Sequence, residues 1–282
     1  MNNSTILVVG KHGKTGARVE RRLQAAGVPT LGVSRSTTPS FDWDLPETWR
    51  HVLTGVRAAY VTYHPDLALP QAEDAIRRFT GMARDAGVEH IVLLSGRGEA
   101  GARRAEDVLR NSGIDWNVVR ASWFAQNFSE NFMLDGIISG ELVMPVCETR
   151  EPFIDVDDIA DVAVAALLEP GLRNRLFEVT GPRSMTFAEC VAAISEAAGY
   201  PVALRQLPLK TYLEALADQG VPAELRSLLE ELFTVLFDGR NAATADGVRE
   251  ALGRPATDFA TYARKTAAAG AWDRTGAGRV AG

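Results

Sequence analysis

Three glycines near the start of the chain have the spacing that lets a protein backbone bind a phosphate group. They lie in the segment Gly10-Lys11-His12-Gly13-Lys14-Thr15-Gly16. Gly10 permits a tight turn, Gly13 lets backbone amides approach an anion without an intervening Cβ, and Gly16 lets the following helix pack closely. The apolar segment Thr5–Val9 precedes this turn. Strand, glycine turn and helix in this order predict a site that binds the pyrophosphate of a dinucleotide.

The letters Gly13-Lys14-Thr15 also suggest the phosphate-binding loop of nucleoside triphosphatases. That loop requires a glycine five residues before Gly13, and Val8 stands there inside the predicted strand. The sequence therefore disfavours a triphosphatase. The other alternative is a glycine turn that binds no ligand.

The segment after the second predicted strand indicates which dinucleotide binds. It reads Ser34-Arg35-Ser36, at the position where an acidic residue would hold the ribose hydroxyls of NAD. A guanidinium between two hydroxyls suits a 2′-phosphate, and the missing carboxylate removes a repulsion. These residues favour NADP(H) over NAD(H), with an ordinary solvated Arg35 as the alternative. Lys11 and His12 can assist in binding the phosphates.

Two further pairs of residues are candidates for the same site. Asp42 and Trp43 offer a polar group and an aromatic ring that can contact adenine, and a buried tryptophan is the alternative interpretation. Tyr63 and His64 end the third predicted strand and face the same crevice. Tyr63 is therefore a candidate cofactor contact, and His64 is the histidine best placed to donate a proton.

Short β-branched segments alternate with amphipathic helical segments, which is the pattern of βαβ units on a parallel sheet. The predicted strands are 5–9, 30–34, 58–63, 90–95, 116–120, 142–144, 176–180 and 202–207. The predicted helices include 126–138, 159–168, 187–198, 209–217 and 223–237. We expect an α/β protein with a doubly wound parallel sheet (Rossmann) at residues 1–181. A smaller, mostly helical annex at 182–272 and a flexible tail at 273–282 should follow.

Composition bears on partners and compartment. The 282 residues include 30 basic and 36 acidic ones, a net charge of −6, without a basic run, which disfavours nucleic acids and anionic membranes as partners. The apolar run before Gly10 is too short for a signal peptide or a membrane span, so we expect a cytoplasmic protein.

Cys147 and Cys190 predict two reduced thiols, and the histidines lack metal-ligand spacing, so we expect no catalytic metal. Annex helices can also form a homodimer interface.

Together with the glycine turn, four segments resemble the NmrA-like group of atypical short-chain dehydrogenases/reductases. They are Leu93-Leu94-Ser95-Gly96, Ser112-Gly113-Ile114-Asp115-Trp116, residues 120–128 (RASWFAQNF) and residues 153–160 (FIDVDDIA). The resemblance runs from about residue 5 to about residue 272. It implies that NAD(P)H lies across the carboxyl ends of the parallel strands and that the annex covers the substrate. It also implies relatives that reduce quinones and azo dyes.

Ordinary short-chain reductases protonate a carbonyl oxygen with a tyrosine whose pKa is lowered by a lysine four residues on, as the same resemblance implies. Neither residue type occurs between Gly96 and Glu106. Tyr60 and Tyr63 lie on an earlier strand, and neither is followed by lysine at that spacing. The ordinary alcohol/ketone mechanism is therefore not supported.

Two activities remain open. In the first, NADPH passes a hydride to a quinone-like or polycyclic aromatic molecule, and Ser95, Arg97 or water stabilises the developing phenolate. A surface pair of Arg97 with Glu99 is the structural alternative. The resemblance extends to tailoring enzymes for aromatic polyketides. In the second, the protein binds NADP(H) without turnover and reports its redox state to a partner, as the resemblance implies for the regulators of the group.

Aromatic residues follow the fifth predicted strand, at the end of the sheet where ligands bind in open α/β folds. Trp123, Phe124 and Phe128, with the side-chain amide of Asn127, predict contacts to a flat, apolar substrate, and Phe132 belongs to the same aromatic segment. The alternative is that the phenylalanines line the core under the annex.

Overall fold

The computed structural model describes residues 5–146 and 148–274, and these form two compact units. Unit 1 contains residues 5–121, Val156–Thr180 and Ala245–Ala256, and unit 2 contains Ser122–Asp155, Gly181–Thr244 and residues 257–274. The chain leaves unit 1 and returns to it twice. This differs from the single boundary after residue 181 that the sequence predicts.

Unit 1 is built on a parallel sheet, which has six strands in the part of the chain that the structure describes. They are β1 (Thr5–Val9), β2 (Thr30–Val33), β3 (Val56–Val61), β4 (His90–Gly96), β5 (Asp115–Ala121) and β7 (Arg175–Val179). Their order is β2-β1-β3-β4-β5-β7. The order reverses at β1, between β2 and β3, and open α/β sheets bind ligands outside the carboxyl ends of the strands at such a reversal. The predicted doubly wound α/β class is confirmed.

Helices cover both faces of this sheet. They are α1 (Lys14–Ala25), α2 (Trp49–Leu53), α3 (Pro70–Asp85), α4 (Ala100–Arg110), α6 (Val156–Leu168) and α10 (Gly247–Leu252). Helices α1 and α6 pack together on one face, and α3 and α4 pack together on the other. Helix α10 contacts α6 and β7. Residues 122–155 belong to unit 2 although they precede residue 181, and α10 belongs to unit 1 although it follows that residue, so a single boundary in the sequence does not describe the two units.

Ion pairs support the α1, α6 and α10 side of unit 1. The Arg22 guanidinium in α1 donates to Asp161 in α6 over 2.6 Å. Asp158, whose side chain is 1% exposed, accepts from Arg254 over 2.7 Å. The acidic start of α6 is thus paired with arginines that follow or belong to its neighbouring helices.

Unit 2 contains a small parallel pair of strands and a helical layer. Its strands are β6 (Glu141–Met144) and β8 (Ala203–Gln206). Its helices are α5 (Leu134–Ser139), α7 (Phe187–Ala198), α8 (Leu209–Asp218), α9 (Ala223–Val235) and α11 (Phe259–Ala268). Helix α7 begins with a capping box, in which the Thr186 hydroxyl accepts from the Glu189 amide and the Glu189 carboxylate accepts from the Thr186 amide.

The predicted helix at 126–138 is wrong. The structure has a 3₁₀ turn at Ala125–Phe128, and α5 begins only at Leu134. Contacts within unit 2 hold this segment, because the Trp272 indole donates to the Phe128 carbonyl over 2.9 Å and the Tyr262 hydroxyl contacts the Ser129 hydroxyl at 2.7 Å. Tertiary hydrogen bonds therefore replace the helical ladder here.

The described residues were predicted to lack a membrane span and a metal site and to contain reduced thiols, and the structure bears on each of these points. Across residues 5–146 and 148–274, no helix is both long and apolar enough to cross a membrane. Over the same residues, no cluster of three or more His, Cys, Asp or Glu side chains could hold a metal ion. Cys190 is fully buried, and burial raises the pKa of its thiol, which makes it a poor nucleophile. Cys147 and most of the predicted tail lie outside the described residues.

Candidate functional site

The glycine turn joins the carboxyl ends of three neighbouring strands. Gly10 has a φ of +85°, and a Cβ there would collide with the Thr62 hydroxyl just beyond β3. The amides of Gly10 and Lys11 both donate to the carbonyl of Val33, over 3.0 and 3.2 Å. The turn is thus tied to the ends of β2 and β3 while it continues β1.

Backbone contacts close the turn at the start of α1. The Gly13 amide donates to the Gly10 carbonyl over 2.8 Å, and a Cβ at Gly16 would collide with that carbonyl. Gly13 is the N-cap of α1, so it has no side chain that could accept from the amides of the first turn, and that turn contains no acidic residue. Helix α7 differs, because its capping box satisfies its first amides. The positive end of α1 therefore suits an external anion.

These residues fit the pyrophosphate of a dinucleotide. Glycine at Gly10 and Gly16 permits the close packing that shapes the turn, since a Cβ at either would collide with neighbouring atoms, and the exposed backbone of Gly13 lets a phosphate approach. Lys14 and Thr15 form the first turn of α1, where a helix amino end favours an anion. Gly10 and Gly16 thus show the tight turn and the close helix packing that the sequence predicts.

The end of β2 presents an exposed guanidinium. Arg35 is exposed, and among the described residues its side chain has neither a hydrogen bond nor an ion pair. The hydroxyls of Ser34 and Ser36 lie 3.2 Å apart, and the Ser36 amide donates to the Ser34 hydroxyl. Thr37 closes this turn by donating its hydroxyl to the Ser34 carbonyl over 2.9 Å. Hydrogen bonds from its own hydroxyl groups therefore shape the loop, and the Arg35 guanidinium is exposed to solvent.

Lys11 and His12 lie in the glycine turn itself. His12 is exposed, whereas the Lys11 ammonium lies 3.7 Å from the carboxylate of Glu20, a buried residue of α1. Sequence reasoning missed Glu20. The available signal was Gly32 in the interior of β2, because a glycine inside a strand often marks a close approach by another group.

Trp43 belongs to an aromatic cluster beside the turn. Its ring packs against those of Phe41, Trp49, Tyr63 and Phe79. Its indole N–H donates to the Thr62 carbonyl over 3.0 Å, so the ring borders the site from the side of β3. Trp43 and Tyr63 are the partly exposed members of this cluster.

The polar groups of this region have distinct roles. The Asp42 carbonyl accepts from the Trp49 indole over 2.6 Å, and its carboxylate accepts from the Asp44 amide. Partial burial, with the charge of Asp44, raises the pKa of Tyr63, so its phenol is neutral at physiological pH. His64 is exposed in the loop that follows β3.

A buried ion network lies at the carboxyl ends of β4, β5 and β7. Register places Ser95, Arg120 and Glu178 side by side on the same face of the sheet. The Arg120 guanidinium donates to both oxygens of Glu106, which is on α4 and has a side chain 2% exposed. Its hydrogen bonds to Glu106 raise the pKa of Arg120. Sequence reasoning missed Glu106, Arg120 and Glu178, since only the sheet register brings them together.

The network changes the interpretation of two predicted catalytic residues. Ser95 is buried and donates its hydroxyl to Glu106 over 2.5 Å, so it is not available to a cofactor or a substrate, and this prediction is corrected. Arg97 donates to Glu178 over 2.7 Å and its side chain is only 11% exposed. The Arg97 guanidinium is thus mostly buried and is anchored by Glu178, so a solvated surface pair with Glu99 does not describe its environment.

The four predicted substrate residues lie in unit 2 and have different environments. Phe128 is fully buried against Phe153, Phe187 and Phe259, so it is a core residue and its predicted substrate contact is corrected. Phe124 and Asn127 are partly exposed.

Trp123 is also partly exposed and stacks edge-on against Phe237, with ring centroids 4.6 Å apart. Its indole nitrogen has no hydrogen-bond acceptor among the described residues. Trp123 therefore offers a partly exposed aromatic ring, while its indole nitrogen is buried.

Proteins similar to this chain in sequence or in structure include NAD(P)H-dependent reductases. No family model matches the chain. The chain is 33% identical to an NAD(P)H azoreductase from Xenophilus azovorans, over 94% of this chain and 98% of that protein.

Two solved structures share the fold. A triphenylmethane reductase from Citrobacter sp., complexed with NADP(H), superposes with a TM-score of 0.80 at 19% identity and covers 93% of this chain and 99% of its own. The NADPH-dependent quinone oxidoreductase QOR2 of Escherichia coli, complexed with NADPH, has a TM-score of 0.78 at 19% identity and covers 92% of this chain and 99% of its own. By its identity to the azoreductase over nearly the whole of both chains, this chain belongs to the NmrA-like family of atypical short-chain dehydrogenases/reductases, a family of NAD(P)H-dependent oxidoreductases.

Proposed function

We propose that this protein is an NADPH-dependent reductase of flat, conjugated aromatic molecules such as quinones and azo compounds. The observation that carries the proposal is the combination of an uncapped helix start at Gly13 with the exposed guanidinium of Arg35 at the end of β2, which has no ion-pair partner within residues 5–146 and 148–274. The first binds a pyrophosphate, and the second distinguishes a phosphorylated ribose from a plain one. The 33% identical azoreductase supports the class of acceptor.

The residues of unit 1 would hold NADP(H) by backbone and charge. The turn from Gly10 to Gly16 takes the pyrophosphate, Arg35 and Lys11 take the 2′-phosphate, and Trp43 and Tyr63 border the adenosine end. When bound, NADPH supplies a hydride from C4 of its nicotinamide. Side chains of this protein or water would have to bind the substrate, stabilise the developing anion and supply the proton.

The reaction that we propose needs no tyrosine acid. Tyr60 is fully buried, and burial raises the pKa of its phenol, so it cannot act as a solvent-linked acid. Ser95 is committed to Glu106. Hydride addition to a quinone leaves a phenolate-like anion, which is a weak base and can take its proton from water. Arg97, anchored by Glu178, is our candidate for electrostatic stabilisation of that anion.

We assign Trp123, Phe124 and Asn127 to the substrate. Trp123 and Phe124 offer aromatic surface, and the partly exposed Asn127 amide can donate a hydrogen bond to an oxygen or nitrogen atom of an acceptor. Tailoring of aromatic polyketides is a finer proposal of the same kind. Replacing Trp123 by Leu should raise the KM for a quinone or azo acceptor and leave NADPH affinity unchanged. Trp116→Leu, at the amino end of β5 and so away from the strand ends where ligands bind, is the matched control.

NADPH oxidation, followed at 340 nm with a panel of quinones and azo dyes, tests the activity. The Arg35→Asp variant should lose roughly tenfold to a hundredfold in NADPH affinity and gain preference for NADH, as expected for loss of a charge-assisted phosphate contact. Arg103→Asp, at an exposed position of α4, makes the same charge change and should alter neither.

A non-catalytic, NADP(H)-sensing regulator is the outcome that would replace this proposal. Tight binding of NADPH, unequal affinities for NADPH and NADP⁺, and no oxidation with any acceptor in the panel would favour it. Arg97→Met adds a second discriminator, because it should lower kcat without changing NADPH affinity in an enzyme. A regulator would have no kcat to lower.

A further inference from the structure

The buried carboxylate of Glu20, a residue of α1, packs against β2 close to the end of that strand. Glu20 is 8% exposed although it is ionisable, and its carboxylate occupies the space where a side chain at Gly32 would lie. A Cβ at Gly32 would collide with this carboxylate. Glycine weakens a strand, so its presence here has a physical reason if it makes room for Glu20.

The cation next to Glu20 comes from the glycine turn. The Lys11 ammonium lies 3.7 Å from a Glu20 oxygen, with side-chain exposures of 37% and 11% respectively. Burial of a carboxylate is costly without a compensating charge, so Glu20 draws the flexible Lys11 side chain across to β2. At 3.7 Å the contact is loose, and the ammonium keeps donors for a second acceptor.

Successive side chains of β2 point to opposite faces of the sheet, and this shows on which face Lys11 is held. Leu31 and Val33 pack into the core on the α3 side of the sheet, so Gly32 and Ser34 face the opposite side, that of α1. Glu20 and the ammonium of Lys11 therefore lie on the same face as Ser34, two residues along the strand from Gly32. Arg35 follows directly. Two cations thus border the end of β2, where Rossmann folds place the adenosine ribose.

We propose that Glu20 is a positioning residue for NADPH selectivity, and that it acts by holding the Lys11 ammonium where a 2′-phosphate is bound. This inference rests on the proposed function. Without Glu20, Lys11 would sample the solvent around an exposed turn, and its four side-chain bonds would have to be ordered when the phosphate binds. The carboxylate stays packed against Gly32, and the Lys11 ammonium that it positions neutralises its charge.

Calorimetry with two adenosine fragments isolates this effect from catalysis. 2′,5′-ADP carries the discriminating phosphate and 5′-AMP lacks it. Lys11→Met should weaken 2′,5′-ADP roughly tenfold, as expected for one charge-assisted contact, and leave 5′-AMP unchanged. Glu20→Gln should weaken 2′,5′-ADP about threefold, again without an effect on 5′-AMP. In the Lys11→Met background, Glu20→Gln should have no further effect.

Controls separate positioning from folding. Lys11→Arg should retain most of the selectivity, and Glu89→Gln, at an exposed acid before β4, should change nothing. Thermal unfolding of Glu20→Gln without ligand should stay close to wild type, since the amide fills the same space.

The inference is overturned if Glu20→Gln tightens 2′,5′-ADP binding, because the carboxylate then repels the phosphate. It is also overturned if the variant weakens both fragments equally, or if its effect persists without Lys11. Should the wild-type protein bind neither fragment, the proposed function itself fails and this inference fails with it. Strong 2′,5′-ADP binding that Glu20→Gln leaves unchanged would refute the inference alone.

Discussion

Replacing Arg120 by Met should destabilise the protein more than any surface change of the same charge. Glu106 is almost completely buried, and both of its carboxylate oxygens accept from the Arg120 guanidinium. Ser95 supplies one further hydrogen bond to Glu106, and Glu178 is the other carboxylate that Arg120 contacts. The Met variant therefore leaves a buried carboxylate without its cation.

The expected loss is about 3–5 kcal/mol in the free energy of unfolding, the cost of breaking a buried ion pair by removing one partner. For a chain of this size it corresponds to a fall of roughly 6–20 °C in Tm. Urea unfolding followed by circular dichroism measures it directly. Arg77→Met is the matched control, since Arg77 is 57% exposed and its pair with Glu73 contributes less than about 0.5 kcal/mol.

A compensating variant distinguishes a lost ion pair from general damage. Arg120→Met combined with Glu106→Leu removes the uncompensated charge and should recover most of the stability, because apolar residues of similar volume can replace a buried pair. A loss below about 1 kcal/mol for the single variant would refute the reasoning. So would a double variant that is no more stable than the single one.

Three further predictions concern the turn, a buried histidine and the core of unit 2. Gly10→Ala should abolish NADPH binding in calorimetry, because its Cβ would collide with Thr62, whereas Gly171→Ala, where a Cβ meets nothing within 4 Å, should not. Burial lowers the pKa of His90, so the unfolded chain takes up its proton first. Stability in urea should hold above the ordinary pKa of about 6.5 and fall as pH drops through the lowered folded-state value, and His90→Gln should flatten this dependence. Phe128→Ala should cost about 3–5 kcal/mol in urea unfolding, and a loss below about 1 kcal/mol would contradict its place in the core.

The first half of the fold and the glycine turn from Gly10 to Gly16 could be predicted from local patterns. Strand β1, the turn from Gly10 to Gly16 and α1 follow each other within one βαβ unit, so their hydrophobic periodicity and glycine spacing suffice. Helix α7 was equally accessible, because Thr186 and Glu189 have the spacing of a capping box.

The rest depends on pairings between distant segments. Ser95 looks catalytic by its place at the end of β4, and only the register with Arg120 and Glu178 shows that it belongs to a buried ion network. Phe128 looks like part of an aromatic binding strip, and only tertiary packing shows that it is core. Likewise, α10 belongs to unit 1 because it packs against α6 and β7, a contact between distant segments that no local pattern contains.

The central claim is that the amides at the start of α1 bind the pyrophosphate of NADPH, and titration calorimetry of the purified chain tests it most directly. Wild-type protein should bind NADPH at one site and more tightly than NADH. Gly16→Val should remove that binding, because its side chain would occupy the space of the Gly10 carbonyl. No heat with either nucleotide, or NADPH binding that survives Gly16→Val unchanged, would contradict the account.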